Sequence, residues 1–129
     1  MNCCISCFKD PEIKDIIKGH NVKGDCDFCG NTNVYICDVN NDDLKENFER
    51  LLDVYCPVSD IKGYFPQEQA DLIKNILTFS WDIFNLKANE VYVFLKVLLP
   101  EKYKEEPMLF DEPVWIKGSV QEEYLNQYS

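Results

Sequence analysis

Between Pro11 and Gly19 the apolar residues Ile13, Ile16 and Ile17 recur at i, i+3 and i+4, which predicts a short amphipathic helix capped by Asp10, entered through Pro11 and ended by Gly19. Farther on, Asn33-Val34-Tyr35-Ile36-Cys37-Asp38-Val39 is dense in β-branched and aromatic residues and predicts a strand, followed by the turn residues Asn40, Asn41 and Asp42. The next helix has the strongest pattern. Asp43 and Glu46 have the spacing of a capping box, Leu44, Phe48, Leu51, Leu52 and Tyr55 share one face, and Pro57 is the stop signal. A second helix is expected from Pro66, with Leu72, Ile73, Ile76 and Leu77 turned inward. An aromatic connection from Trp81 to Leu86 leads to a third helix, in which Asn89 is the expected cap, Val91, Phe94, Leu95 and Leu98 form the stripe, and Pro100 is the end; the β-branched content leaves a strand as the alternative.

Past Glu101 the proline-interrupted chain reads as an extended tail in which Val114-Trp115-Ile116 suits an edge strand or a docking segment, with Ser119 and Glu122 opening a last short helix. Most of the cysteines fall in residues 1–38. Together these elements predict an α+β fold, mainly helical, over a single domain of residues 1–129. In it a four-cysteine zinc-knuckle or ribbon-like subdomain with a short strand region occupies 1–38, and a small helical part with the extended tail occupies 39–129.

Cys4-x-x-Cys7 and Cys26-x-x-Cys29, with eighteen residues between the pairs, match the paired spacing of a four-thiolate zinc site. A two-residue gap lets both sulfurs of a pair reach one tetrahedral ion at about 2.3 Å. Gly30 gives the second pair a trailing residue free to take positive φ, whereas Phe8 stands where the first pair would have a glycine. Cys3, one residue before Cys4, is an alternative ligand, and which of the two binds is open. Four thiolates leave no open position for water, so the expected Zn2+ is structural and no enzyme activity is expected. Cys37 and Cys56 read as buried core thiols and His20 as a surface histidine. Phe65, Trp81, Phe84 and Trp115 are candidates for core or interface, with core favoured for each.

Charge narrows the partners. The chain has 13 Lys or Arg against 23 Asp or Glu, a formal net charge of −10, with both halves acidic. Nucleic-acid affinity rests on cations neutralising phosphates, so neither nucleic acid nor an anionic membrane surface is an expected partner; a basic protein is. The opening MNCCISCFKD has neither a basic region nor an apolar run of signal length, and Val91–Leu99 is too short and is interrupted by Lys96. A cytoplasmic location with reduced thiols is expected, while the oligomeric state is left open.

The segment CCISCFKDPEIKDIIKGHNVKGDCDFCGNTNVYICDV, followed by LKENFERLLDVYCP, resembles the first N-terminal domain of bacterial HEPN and RES proteins, with Cys4, Cys7, Phe8, Asp10, Gly24, Cys26, Asp27, Phe28 and Cys29 at matching positions. The resemblance implies a zinc-binding regulatory module of bacterial toxin or conflict systems, associated with an effector. A HEPN nuclease needs an Arg followed closely by a His, whereas here Arg50 lies thirty residues after His20, so that effector is not expected within these residues. The protein partner implied is a toxin or an effector domain. An alternative expectation is a stand-alone acidic immunity protein that covers and neutralises a cognate nuclease toxin.

Overall fold

The computed structural model describes residues 1–61 and 67–116. The start expected at Pro66, the Phe65 side chain, and the Ser119–Glu122 helix opening lie outside the described residues.

The described chain mixes helices with two small antiparallel sheets. Strands β1 (Asn2–Cys4), β2 (Lys23–Gly24) and β3 (Val34–Asp38) form the first sheet in the order β1-β3-β2. Helix α1 (Pro11–His20) lies between β1 and β2 in sequence and packs on β3. Asp10 caps it as expected, its carboxylate accepting the N–H groups of Glu12 and Ile13 at 2.8 and 3.3 Å. Ile13 and Ile17 are buried, while Ile16 is half-buried. Gly19 does not end the helix. Asn21, at φ 55° and ψ 41°, takes the left-handed position one residue past His20, a role asparagine fills with little penalty.

Helix α2 (Asp42–Leu52) starts two residues earlier than the Asp43 capping box requires, because the Asn41 side chain accepts the Leu44 N–H at 3.0 Å and takes the cap. Leu44, Phe48 and Leu52 are buried as the spacing predicts. Tyr55 is buried too, but it lies beyond the helix in strand β4 (Tyr55–Pro57), so the helix has ended before Pro57. Its partner is β5 (Val114–Ile116), in the register Tyr55 with Ile116, Cys56 with Trp115 and Pro57 with Val114. The expected second helix is a single turn, α3 (Ile73–Asn75), that widens into a π-helical turn over Ile76–Ser80, with Ile73, Ile76 and Leu77 facing inward.

Helix α4 (Ala88–Leu98) buries Val91, Phe94, Leu95 and Leu98. Asn89 is not its cap. The Lys87 N–H is taken by the Glu90 carboxylate at 3.2 Å, and the Asn89 side chain accepts from Lys74 Nζ at 3.0 Å. The tail read as extended contains helices α5 (Pro100–Glu105) and α6 (Met108–Asp111). Pro100 and Pro107 stand at the entrances of these helices, where the missing N–H has no partner to lose; they start turns instead of interrupting them.

Four phenylalanines from four segments form the centre of the core: Phe8 after the first cysteine pair, Phe48 on α2, Phe84 in the aromatic connection and Phe94 on α4. Ring centroids lie 5.2 Å apart for Phe8–Phe84, 5.6 Å for Phe8–Phe94 and 5.5 Å for Phe84–Phe94. Phe48 stands 5.7 Å from Phe84 and 5.6 Å from Phe94. Offset and edge-on contacts at such separations add to the burial term that already holds each ring in place.

Candidate metal centre

Each cysteine pair is placed by its own local geometry. Cys4 ends β1, and the tight 3-10 turn Ile5–Cys7 brings Cys7 back beside it, with the sulfurs 3.7 Å apart. The second pair sits on a knuckle closed by the Cys26 N–H bonding to the Asn31 carbonyl at 2.9 Å, with Gly30 at φ +78°. Two reciprocal bonds dock this knuckle on β1: Asp27 N–H to the Asn2 carbonyl at 2.9 Å and Asn2 N–H to the Asp27 carboxylate at 2.7 Å.

That docking brings the pairs together. Cys4 Sγ lies 3.3 Å from Cys29 Sγ, Cys7 Sγ lies 3.4 Å from Cys26 Sγ, and all four sulfurs are within 4.8 Å of one another. A tetrahedron with metal–sulfur bonds of about 2.3 Å has sulfur–sulfur edges of about 3.8 Å, so the four positions are compatible with one central ion and small adjustments. Cys4, Cys7 and Cys26 are buried and Cys29 is exposed.

The sulfurs are not electrostatically equivalent. Burial pushes the Cys4 thiol up to about 11, with hydrogen bonds to Cys29 and Cys26 adding to the effect. Burial raises Cys7 well above the ordinary thiol range. Burial acts the same way on Cys26, but is outweighed by the Cys29 and Phe28 N–H groups, both 3.4 Å from its sulfur, and by Cys7, so its pKa is lowered. Those N–H groups favour the thiolate form of Cys26. Backbone N–H groups aimed at sulfur also offset the negative charge that four thiolates leave around a divalent ion.

Cys3 takes no part in the cluster. It is fully buried, donates to the Cys37 carbonyl at 3.4 Å across the β1–β3 pair, and is pushed up by burial and by the neighbouring Cys37. Cys37 is buried in β3, with its thiol pushed up first by burial and then by the carboxylates of Asp38 and Asp43. Cys56 differs from the expectation of full burial, being half-buried in β4. His20 is exposed at the last position of α1.

Sequence reasoning missed how the cluster is fastened to the rest of the fold. Phe8 is fully buried against Phe84, and Phe28 packs edge-on to Phe94 at 5.2 Å. The 83–85 backbone runs alongside, accepting the Lys9 N–H at the Ile83 carbonyl (2.6 Å) and giving the Asn85 N–H to the Cys7 carbonyl (2.8 Å). The Asn85 amide also donates to the Ser6 carbonyl at 3.1 Å. The visible signal was Phe8 itself, a large apolar residue where a knuckle would have glycine. Comparison with protein-family models, with curated proteins and with solved structures found no match.

Proposed function

We propose that this chain is a zinc-stapled protein-interaction module without catalytic activity, its metal held by Cys4, Cys7, Cys26 and Cys29. The observation that carries the reading is the convergence of these four sulfurs within 4.8 Å. Thiolate-only tetrahedral sites select zinc or iron–sulfur chemistry, and a zinc bound by all four would be closed, with no position for water or substrate. When bound, the ion would supply cross-linking, tying β1 to the knuckle that carries Phe28.

The positions that carry the resemblance to the HEPN and RES N-terminal domain have structural work here, which supports assigning the module to a bacterial toxin or conflict system. Phe8 and Phe28 pack into the aromatic core, Asp10 caps α1, and Asp27 holds the N-terminal strand. A second reading, an acidic immunity protein that binds a cognate nuclease toxin, is favoured by the net charge of −10.

Among the described residues, Lys102 is the one cation lining a groove of about 500 Å³ between β4 and α5. Burial would pull the Lys102 amine down, but Asp53 at 2.8 Å and Glu106 at 3.6 Å raise it. The amine is held as an ion-paired ammonium and is not a free nucleophile. No helix among the described residues is long and apolar enough to cross a membrane.

The test is native mass spectrometry with metal analysis, before and after a strong chelator. One zinc per chain, with loss of the folded charge-state distribution on removal, is the expected result. A protein that purifies metal-free and folded refutes the staple.

A further inference from the structure

The two tryptophans of the chain meet on one surface. Trp81 is 54% exposed and lines, with Trp115 and Tyr55, a groove of about 410 Å³ completed by Gln69, Ile76, Ser80 and Ile116. The three rings come from three separate elements: β4, the end of the π-helical turn, and β5.

The backbone sets Trp81 outward. Its N–H reaches back five residues to the Ile76 carbonyl at 2.9 Å, the widened turn of a π-helix. Asp82 follows at φ 51°, a left-handed conformation unusual for a non-glycine residue, and the chain then returns to the core with Ile83 and Phe84 buried. Trp81 Nε1 donates to the Tyr55 hydroxyl at 2.8 Å, which fixes the indole to the groove wall.

Among the described residues no charged side chain lines the groove; Glu68 and Asp82 stand next to the lining in sequence, and Asp82 is paired with Lys9 at 2.8 Å. Aromatic faces attract organic cations, and here the ring quadrupole adds to the net field of a chain at −10.

We propose that the Tyr55–Trp81–Trp115 groove is a docking site for an arginine or lysine side chain presented by a basic segment of a partner protein. This inference rests on the reading of the chain as an interaction module, and names its surface and the chemistry of its partner.

Both tryptophans report on the site. The test titrates the full-length, metal-analysed protein with a ten-residue peptide of alternating arginine and alanine, following tryptophan emission and the two indole N–H resonances. A parallel titration uses the same peptide with citrulline in place of arginine, which keeps shape and removes charge. The arginine peptide is expected to give a saturable response and the citrulline peptide one at least about fivefold weaker, the loss of a partly desolvated cation–π contact. Trp81→Ala, at an exposed position, is expected to weaken the arginine peptide by a similar factor, and Trp81→Phe, which keeps a ring, to restore part of the affinity.

Equal binding of the two peptides would mean an apolar occupant and overturn the proposal. So would an undiminished affinity in Trp81→Ala, which would place the cations elsewhere on the acidic surface, or the lack of any saturable response. Lys117 follows Ile116 in sequence, so Lys117→Ala is the remaining control: a changed emission in the free protein together with tighter peptide binding would assign the groove to the chain's own lysine, and also overturn it. Because metal content is measured on the same sample, failure of the groove with one zinc present leaves the staple standing, and a response without zinc does the reverse.

Discussion

Replacing Phe8 by alanine tests whether the cysteine cluster and the helices share one core. Phe8 is fully buried and its ring lies within 6.3 Å of three others, those of Phe48, Phe84 and Phe94. Truncating such a ring removes its transfer free energy, leaves a cavity the aromatic tetrad cannot readily close, and costs about 3–5 kcal/mol. Against a total stability on the order of 5–15 kcal/mol, that is a large share. With a urea m-value of about 2 kcal/mol/M the unfolding midpoint should fall by roughly 2 M. The assay is urea unfolding of metal-loaded protein, followed by far-UV circular dichroism for the helices and tryptophan emission for the β4–β5 side. Phe79→Ala is the control, since Phe79 is 73% exposed and its loss should cost under about 0.5 kcal/mol. Coincident shifts in both probes are expected. If Phe8→Ala moves the midpoint no more than Phe79→Ala does, or moves the two probes apart, the single-core argument is wrong.

The remaining predictions address the ligand set and the local electrostatics. Cys4→Ser should abolish stoichiometric metal while Cys3→Ser keeps it, by metal analysis of the purified variants, because only the Cys4 sulfur is in the cluster; the Cys4 loss should exceed the roughly 10–100-fold that changes outside the ligand set cost. Asp10→Ala should cost about 1 kcal/mol in the same urea assay, since it frees the Glu12 and Ile13 N–H groups. Tyr92 donates its hydroxyl to Asp111 at 2.5 Å, and that carboxylate, followed by the Tyr103 hydroxyl, raises its pKa. A raised folded value means that the bond stabilises the fold fully below the unfolded tyrosine value of about 10 and is lost as pH climbs through the folded value. Absorbance titration of the phenols should show a late-titrating tyrosine that disappears in Tyr92→Phe, and an unchanged titration curve would contradict the bond.

What could be read from the sequence was whatever rests on spacing alone. Paired cysteines two residues apart, the i, i+3, i+4 stripes of α1, α2 and α4, and the β-branched run of β3 all survive into the structure because the period itself carries the information. Choosing between Cys3 and Cys4 needed register. Neighbours on a strand point to opposite faces, and with Cys3 opposite Cys37 and Cys4 opposite Ile36 only one of them can look toward the knuckle. Helix ends were misread where another group takes the cap: the Asn41 side chain displaces Asp43, and the Glu90 carboxylate holds the Lys87 N–H where Asn89 was the expected cap. Proline was misread because its missing N–H ends a helix from within but costs nothing at the entrance, and Pro100 and Pro107 stand at entrances. The β4–β5 pair joins residues almost sixty apart, and nothing local in Tyr55-Cys56-Pro57 announces its partner.

The same cysteine spacing would serve a redox pair, and the arrangement of the sulfurs weighs against that use. A reactive CxxC presents an accessible, low-pKa thiol to an incoming disulfide, with its resolving partner inside the same pair. Here Cys4 and Cys7 are both fully buried and pushed up, and the thiol with the lowered pKa, Cys26, is buried as well. The exposed sulfur, Cys29, contacts Cys4 of the other pair. Contacts between the pairs, at 3.3 and 3.4 Å, are shorter than the 3.7 Å between Cys4 and Cys7 within one. Two pairs that close on each other more tightly than one of them closes on itself are arranged around a shared centre. Phe8 gives that centre its structural consequence, because the turn that delivers Cys7 to the cluster also delivers the next side chain into the middle of the helical core.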